Sequence, residues 1–301
     1  MQNLDFFLNM RYNIGMVDCI IIGSGVAGIS AALTLKSNGK SFLLFGTSSL
    51  SEKIEKAELI ANYPGLALVS GKEFVAALKE QLNRSEIPVT EEKVTGVYAL
   101  KDKFSITTDK GNLYESLTVI LACGVESVKT IDGEEEFFGR GVSYCATCDG
   151  FLYKNKRIAV FCTSKRLEHE IGYLADFAEK VYLIPMYKNV EIERENVEKI
   201  VKMPKSIQGT RKAEKLVFAD RELEIDGIFM LRECVSPAVL VGGLQAENGH
   251  VTVSRDMETN LQGCYAAGDC TGRPYQYAKA VGEGNVAAHS ASEYITEKKK
   301  A

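Results

Sequence analysis

Two cysteines, Cys145 and Cys148, are separated by only two residues in the run Cys-Ala-Thr-Cys-Asp near the middle of the chain. A pair at this spacing can close into a small disulfide ring, and the pKa of the leading thiol can fall far enough for it to attack another disulfide. Such a pair can also be half of a zinc site, but the sequence offers no second ligand pair with suitable spacing. The pair therefore predicts thiol–disulfide redox chemistry and no metal centre.

The bulk properties of the chain limit the class of protein. Its 301 residues are enough for about two domains with separate cores. The formal net charge of -4 argues against nucleic-acid binding, which normally uses a basic face. The other cysteines are scattered, no signal peptide is recognisable, and no apolar run reaches the length of a membrane span. We expect a cytoplasmic protein without a membrane partner, in which residues 1–16 form an extension ahead of the first strand.

A glycine-rich run, Gly23-Ser24-Gly25-Val26-Ala27-Gly28, joins a predicted strand at Val17–Ile22 to a predicted helix at Ala27–Asn38. In this context the first glycine makes the turn, the second lets the backbone approach a pyrophosphate, and the third allows close packing of helix on strand. The helix N-terminus adds N–H groups and a positive dipole. The acidic ribose ligand of an ordinary NAD site is missing, because the next strand ends in Phe45-Gly46-Thr47-Ser48. The run therefore predicts a dinucleotide site and disfavours plain NAD.

A second nucleotide signal lies near the C-terminus, in the segment Gly263–Asp269. Here Gly268 and Asp269 follow a predicted strand at Gly263–Ala267, and a carboxylate at a strand end can accept hydrogen bonds from a polyol chain such as the ribityl group of FAD. A glycine turn with an aspartate cap would explain the segment alone. Together with the first glycine run, it predicts FAD.

The order of predicted elements indicates an α/β fold with two dinucleotide-binding, Rossmann-like domains. One βαβ unit starts at Val17, and a second starts at a strand over Arg157–Phe161, with a helix over Leu167–Phe177 and a strand over Lys180–Ile184. The pattern after Pro237 returns to that of the first domain, with a last helix from about Gly282 to Tyr294. We expect a discontinuous FAD-binding domain over residues 1–125 and 242–301, with a dithiol domain inserted over 126–241.

At this point the chain resembles the low-molecular-weight flavoprotein thioredoxin reductases along essentially its whole length. The run Cys-Ala-Thr-Cys-Asp-Gly is highly specific to that family. The matching stretches are Gly23–Gly28, Asn62–Gly65, Gly139–Gly150 and Tyr265–Asp269.

The resemblance implies a role for each matching residue. Cys148 matches the thiol that faces the flavin, and Cys145 matches the thiol that attacks the disulfide of thioredoxin. Asp149 matches an acid that assists proton transfer, although a helix N-cap is an alternative role for it. The resemblance also implies a homodimer. The residues expected to contact FAD are Gly23, Ser24, Gly25, Val26, Ala27, Gly28, Asn62, Ala122, Gly268, Asp269, Gln276 and Tyr277.

The family pattern fails where NADPH should bind. The second glycine turn belongs directly after Arg157–Phe161, but the chain reads Cys162–Glu170 there and has no glycine until Gly172. The His-Arg-Arg cluster expected after the next strand is replaced by Pro185-Met186-Tyr187. The dithiol domain therefore has a degenerate NADPH-binding fold. A dithiol without an NADPH site resembles the ferredoxin-dependent flavin thioredoxin reductases, so we expect ferredoxin as the electron donor and thioredoxin as the acceptor.

Three other functions stay open at this stage. A flavin-dependent dithiol oxidase would oxidise a small molecule and reduce oxygen on the same fold, although Cys-Ala-Thr-Cys-Asp-Gly is the reductase form and no added substrate loop is visible. An NADPH-dependent reductase would need an atypical nucleotide site. A flavin-binding redox sensor would change partners when the dithiol closes.

Overall fold

The structure, a computed structural model, describes residues 11–12, 15–125, 131–134, 136–232 and 237–300. The side chains of Arg11, Tyr12, Glu52 and Cys148 lie outside this description. The chain divides into two compact units, each described separately below. Unit 1 consists of Met1–Val125 and Ser236–Ala301, and unit 2 of Glu126–Val235.

Most of the strands are short. In chain order they are β1 (Arg11–Tyr12), β2 (Val17–Ile22), β3 (Phe42–Phe45), β4 (Val89–Thr90), β5 (Val94–Ala99), β6 (Phe104–Thr108), β7 (Asn112–Leu121), β8 (Val142–Ser143), β9 (Arg157–Cys162), β10 (Lys180–Pro185), β11 (Val197–Lys199), β12 (Ser206–Gln208), β13 (Lys215–Val217), β14 (Glu222–Glu224), β15 (Gly227–Leu231), β16 (Ala246–Glu247), β17 (His250–Val251) and β18 (Cys264–Ala266).

The helices vary more in length than the strands. They are α1 (Val26–Ser37), α2 (Glu52–Glu55), α3 (Gly71–Arg84), α4 (Ala146–Asp149), α5 (Glu168–Ala175), α6 (Pro237–Leu240) and α7 (Tyr277–Lys298). Turns of 3₁₀ helix cover Gly150–Tyr153, Lys165–Leu167 and Asp269–Thr271. Among the helices of the described ranges, none is both long and apolar enough to cross a membrane.

The sheet of unit 1 has the order β4-β3-β2-β7-β6-β5, and β1 and β18 also pair with β7. β2 is parallel to both of its neighbours, and its residues Ile20 and Ile21 are fully buried, as an uninterrupted apolar strand in a covered parallel sheet should be. β7 starts at Asn112, five residues before the predicted strand Leu117–Ala122, because its first half alternates in polarity and forms an antiparallel pair with β6. The carboxyl ends of β2, β7 and β18 therefore meet at one edge of the sheet.

Helix α7 is longer than the predicted Gly282–Tyr294 and starts five residues earlier, at Tyr277. The glycines inside it do not mark a helix end. A Cβ on Gly284 would lie 2.1 Å from the carbonyl oxygen of Ala27, so this glycine lets α7 approach α1 closely. Lys279 and Glu283 form an ion pair one turn apart near the start of the helix, which supports the early start.

Unit 2 contains a parallel sheet with the order β11-β10-β9-β15-β8 and a separate antiparallel sheet β12-β13-β14. The direction of winding reverses between β9 and β15, so the ligand crevice of a dinucleotide-binding fold belongs at their carboxyl ends. β8 is the edge strand beside β15, with Val142 opposite Ile228. Cys145 follows β8 by two residues. The predicted α/β class is confirmed by these sheets and the helices that connect their strands.

Helix α5, Glu168–Ala175, is shorter than the predicted span Leu167–Phe177. A 3₁₀ turn over Lys165–Leu167 precedes α5, and the hydroxyl of Ser164 accepts a hydrogen bond from the Arg166 N–H at 3.4 Å. The chain therefore enters α5 through a side-chain-capped turn instead of a glycine turn.

Candidate functional site

The turn between β2 and α1 needs two of its glycines for packing. Gly23 has a φ of +119°, and a Cβ there would lie 2.2 Å from the carbonyl oxygen of Ala122. A Cβ on Gly28 would lie 1.8 Å from the carbonyl oxygen of Gly23. Both distances are far below any real carbon–oxygen contact, so a side chain at either position forces the backbone to move. These two glycines, with Ala122 at the end of β7, fix the shape of the turn.

The middle glycine of the turn has a different environment. Gly25 is the N-cap of α1, with an ordinary φ of -74° and no side-chain cap on the helix. A Cβ on Gly25 would meet no atom within 4 Å. Because no packing within the protein requires glycine here, the open space fits a group that approaches the N–H groups of the first turn. A pyrophosphate is the ligand that such a helix N-terminus binds.

Ser24 has a structural task in the same turn. Its buried hydroxyl accepts a hydrogen bond from the Thr47 N–H at 3.0 Å and lies 3.2 Å from the carbonyl oxygens of both Thr47 and Leu50. A Cβ on Gly46 would lie 2.2 Å from the Ser24 Oγ. The close approach of Ser24 explains why no acidic residue stands at this position after β3.

The second predicted nucleotide segment is held by two residues that the sequence analysis did not select, Lys279 and Glu283 on α7. The Lys279 ammonium donates to the carbonyl oxygens of Gly268 at 2.9 Å and Gly272 at 2.8 Å. Glu283 accepts from the Gly268 N–H at 2.9 Å and from the Thr271 hydroxyl at 2.8 Å. The loop that carries Asp269 is therefore tied to α7 at several points.

Asp269 lies at the carboxyl end of β18 and is partly buried. Burial raises the pKa of its carboxyl group above the ordinary value, and the positive charges of Lys53 and Lys279 oppose this rise only in part. A partly desolvated carboxylate gains from accepting hydrogen bonds. Asp269 therefore has the chemistry expected of an acceptor for the hydroxyls of a flavin ribityl chain.

We expect Asp269→Asn to raise the thermal stability of the FAD-free protein at neutral pH and to weaken FAD binding. A raised pKa in the folded state means that ionised Asp269 opposes folding as the pH rises through that pKa, and the amide removes this cost. The gain should be larger near about pH 7 than near about pH 3, because a carboxyl group that is protonated in both the folded and the unfolded state has no such cost. Melting curves at both pH values test this, and an equal shift at both would contradict it.

Asn62 and Gln276, which are predicted FAD contacts from distant parts of the chain, lie against each other. The amide of Asn62 donates to the Gln276 Oε1 at 2.7 Å, and both side chains are exposed. Tyr277, the first residue of α7, packs edge-on against Phe74, with ring centroids 5.8 Å apart. Burial and the charge of Asp269 raise the pKa of the Tyr277 hydroxyl. Folding therefore brings these predicted residues to one place in unit 1.

Cys145 in unit 2 is in a disulfide and is only 7% exposed. The Ser143 hydroxyl accepts from the Cys145 N–H at 3.1 Å and donates to the Asp149 Oδ2 at 2.6 Å. Asp149 makes no side-chain capping bond to the 3₁₀ turn that follows it, so the N-cap role considered for it is not seen. The Cys148 backbone lies in α4, and its side chain is outside the described part of the chain.

At the strand-to-helix turn where a second dinucleotide would bind in unit 2, the protein's own groups hydrogen-bond to one another. β9 and β15 pair up to their carboxyl ends, where the Thr163 N–H donates to the Leu231 carbonyl oxygen at 3.0 Å. Glu168, the first residue of α5, accepts from the Tyr187 hydroxyl at 2.9 Å and from the Glu191 N–H at 3.1 Å. A carboxylate thus stands at the helix N-terminus that would otherwise receive a phosphate. This turn therefore differs from the glycine turn that precedes α1.

Two other cysteines can be assigned to packing. Cys270, beside Asp269, is buried, and its thiol lies 3.3 Å from the carbonyl oxygens of Leu121 and Ala267. Burial raises the pKa of the Cys270 thiol to about 12. Burial likewise raises the pKa of the Cys162 thiol to about 11. Neither thiol can ionise near neutral pH, so neither can act as a nucleophile.

Comparison with known proteins agrees with this arrangement. Residues 17–167 match the family model described as pyridine nucleotide-disulphide oxidoreductase. The chain is 34% identical to a thioredoxin reductase of Helicobacter pylori, over 93% of this chain and 99% of the relative. It is 30% identical to a thioredoxin reductase of Treponema pallidum, over 92% and 97% of the two chains.

The solved structures include a ferredoxin-flavin thioredoxin reductase from Clostridium acetobutylicum, which is 43% identical to this chain. It superimposes with a TM-score of 0.88 over 96% of this chain and all of that one. A second structure with the same description and organism is 46% identical, with a TM-score of 0.84 over 94% and 99% of the two chains. The family and these relatives bind FAD. The chain therefore belongs to the pyridine nucleotide-disulphide oxidoreductase family, among its thioredoxin reductases.

Proposed function

We propose that this protein passes electrons from reduced ferredoxin through FAD and a Cys145–Cys148 dithiol to the disulfide of thioredoxin. The observation that carries the proposal is the contrast within unit 2. The dithiol segment is kept, whereas the turn into α5 has no glycine before Gly172, and the Glu168 carboxylate at the start of α5 is bound by the Tyr187 hydroxyl. The relatives named as ferredoxin-flavin thioredoxin reductases support this choice of donor.

The residues of unit 1 fit FAD. Gly25 leaves room for the pyrophosphate at the start of α1, and Asp269 offers an acceptor to the ribityl hydroxyls. The joined amides of Asn62 and Gln276, with the ring of Tyr277 beside them, are suited to hold the polar edge of the flavin ring. When bound, FAD takes up single electrons and gives them up as a pair, which is what links a one-electron donor to a disulfide.

The partner of Cys145 in its disulfide is inferred from the other cysteines. Cys19, Cys123, Cys162, Cys264 and Cys270 do not take part in a disulfide. The two remaining cysteines in the sequence are Cys148 and Cys234, whose side chains the structure does not describe. Cys148 lies in the short helix α4, which begins directly after Cys145. We therefore assign Cys148 as the disulfide partner of Cys145.

The protein's own groups suit the transfer to thioredoxin. In the reduced dithiol, the Cys145 thiolate attacks one sulfur of the thioredoxin disulfide and forms a mixed disulfide, and the displaced sulfur takes a proton. Cys148 then attacks Cys145, which releases reduced thioredoxin and closes the dithiol into a disulfide. A role for Asp149 in proton transfer is supported by its hydrogen bond with Ser143, because Ser143 also binds the Cys145 backbone N–H.

An exposed apolar surface lies next to the dithiol in the sequence. Phe151 and Leu152 are 64% and 65% exposed, although both are large apolar residues. Exposed apolar side chains beside a reactive site are typical of protein–protein contacts. They favour a protein substrate such as thioredoxin over a small dithiol.

The energetics favour ferredoxin as a donor. A ferredoxin near about -400 mV reducing a thioredoxin near about -270 mV gains about 130 mV, or about 6 kcal/mol for two electrons. The homodimer that the family resemblance implies and the cytoplasmic location that is expected from the sequence remain predictions.

A steady-state assay tests the proposed function. The protein is supplied anaerobically with chemically reduced ferredoxin or with NADPH, and the free thiols of thioredoxin are counted over time. We expect ferredoxin to support turnover and NADPH to support none. Rapid oxygen consumption with a small dithiol, without thioredoxin reduction, would instead identify an oxidase and overturn the proposal.

A further inference from the structure

A charged pair is completely enclosed in unit 2. The guanidinium of Arg232 donates to the Glu134 Oε2 at 2.8 Å, and the two side chains are 2% and 0% exposed. The same carboxylate oxygen accepts from the Ile131 N–H at 2.8 Å, and the guanidinium lies over the ring of Phe161, 5.0 Å from its centroid. Removing two charges from water is costly, and apolar residues of the same size would often stabilise a fold equally well. The pair is therefore expected to serve a purpose beyond stability.

The other oxygen of Glu134 is bound to the residue that precedes the redox cysteine. The Tyr144 hydroxyl donates to the Glu134 Oε1 at 2.6 Å, and Tyr144 is 6% exposed. Its ring also packs edge-on against Phe138, with centroids 5.4 Å apart. Tyr144 is thus held at its hydroxyl and along its ring. Cys145, the next residue, has little freedom to move.

Three chain segments meet in this network. Glu134 comes from the stretch before β8, Arg232 follows β15, and Tyr144 follows β8, the neighbour of β15 in the sheet. Ser143, which directly precedes Tyr144, accepts a hydrogen bond from the Cys145 N–H at 3.1 Å. Two neighbouring residues therefore fix the backbone of Cys145. Ser143 is bound to Asp149, and Tyr144 is bound to Glu134 of the buried pair.

We propose that Glu134 and Arg232 are positioning residues that act through Tyr144 to hold Cys145 close to its dithiol partner and so stabilise the disulfide against reduction. Fixing one thiol beside the other raises their effective concentration, and this favours the closed ring. The inference rests on the proposed function in one respect, the assignment of Cys148 as that partner. These residues influence the reduction equilibrium of the dithiol from outside the Cys-x-x-Cys motif.

The test is an equilibrium between the holoprotein and dithiothreitol. Reduced dithiothreitol gives two electrons and two protons to the Cys145 disulfide and becomes the cyclic disulfide, and alkylation with mass spectrometry measures the fraction of reduced Cys145. For Tyr144→Phe, which removes only the hydroxyl that binds Glu134, we expect the protein disulfide to become about tenfold easier to reduce, or about 30 mV. Wild-type peptide maps verify the Cys145–Cys148 pairing first.

Tyr114→Phe is the matched control. Tyr114 is 4% exposed, and its hydroxyl also donates to a glutamate, Glu92, at 3.1 Å, but in unit 1. Both variants should lose a similar amount of thermal stability, and only Tyr144→Phe should change the exchange equilibrium. An exchange constant within about twofold of wild type in Tyr144→Phe would show that the network is structural only and would overturn the proposal.

A second variant addresses the charged pair itself. Glu134→Gln alone would leave the Arg232 charge buried without its carboxylate, which endangers the fold, so it is combined with Arg232→Gln. If the double variant folds, its disulfide should be at least as easy to reduce as that of Tyr144→Phe. A wild-type value there contradicts the role of the pair. Because the exchange uses neither ferredoxin nor thioredoxin, it remains measurable even if the proposed electron transfer fails.

Discussion

Replacing Cys145 by serine is expected to abolish thioredoxin reduction, by at least about a thousandfold, while the protein stays folded and keeps its FAD. A serine hydroxyl neither ionises near neutral pH nor forms a disulfide, so both the attack on thioredoxin and the closure of the dithiol are lost. Cys148→Ser should have an equal effect on turnover. Flavin absorbance and a melting curve confirm that each variant is intact, and the rate of thioredoxin thiol formation measures its activity.

Cys162→Ser is the control for these variants. Cys162 belongs to the same unit and its thiol is hydrogen-bonded to the Ser164 carbonyl oxygen at 3.3 Å, a bond that serine can also make. Since burial raises the pKa of the Cys162 thiol to about 11, it takes no part in the chemistry and this variant should turn over normally. Wild-type turnover in Cys145→Ser would remove the dithiol from the mechanism.

The second large effect is expected for Gly25→Ala, which should weaken FAD binding by about tenfold to a hundredfold, or about 1.4 to 2.8 kcal/mol, with little change in the stability of the FAD-free protein. Within the described residues, no atom lies within 4 Å of the added methyl group, and the φ of -74° suits alanine. The methyl group would instead obstruct a pyrophosphate bound at the start of α1. Fluorescence titration of FAD into the FAD-free variant measures the affinity.

Two further glycine variants distinguish an effect on FAD binding from an effect on folding. Gly28→Ala places its Cβ 1.8 Å from the Gly23 carbonyl oxygen, so it should lower stability and FAD affinity together. Gly172→Ala, in α5, meets no atom within 4 Å and should add stability, by about 1 kcal/mol or less, with unchanged affinity. Wild-type FAD affinity in Gly25→Ala would mean that the pyrophosphate does not lie at α1.

The parts of the fold set by local pattern could be predicted from the sequence. Local sequence patterns predict three of these features to within a few residues. They are the apolar strand β2, the glycine turn after it and the alternating strand β6. The start of α7 could not be found in this way. Gly282 and Gly284 suggest a helix end by their intrinsic preference, but the contact of Gly284 with Ala27, far away in the chain, decides the packing.

The candidate site shows the same division. Residues within short motifs, such as Gly25, Cys145 and Asp269, were recognisable because the motif itself carries the chemistry. Lys279 and Glu283 were missed because their targets are backbone atoms of the Gly268 loop, which no pattern of residue types reveals. The pairing of Glu134 with Arg232 joins residues that are 98 positions apart, so only the folded chain brings them together.

The most direct test of the central claim is the anaerobic visible spectrum of the purified flavoprotein in a single turnover. The protein is mixed with NADPH in one experiment and with chemically reduced ferredoxin in another, each in the presence of oxidised thioredoxin. We predict that ferredoxin bleaches the flavin absorbance and that thioredoxin thiols then appear, while NADPH causes no bleaching. Bleaching by NADPH at a rate that matches thioredoxin reduction would contradict the account, because unit 2 would then have to bind the nucleotide without a glycine turn before α5.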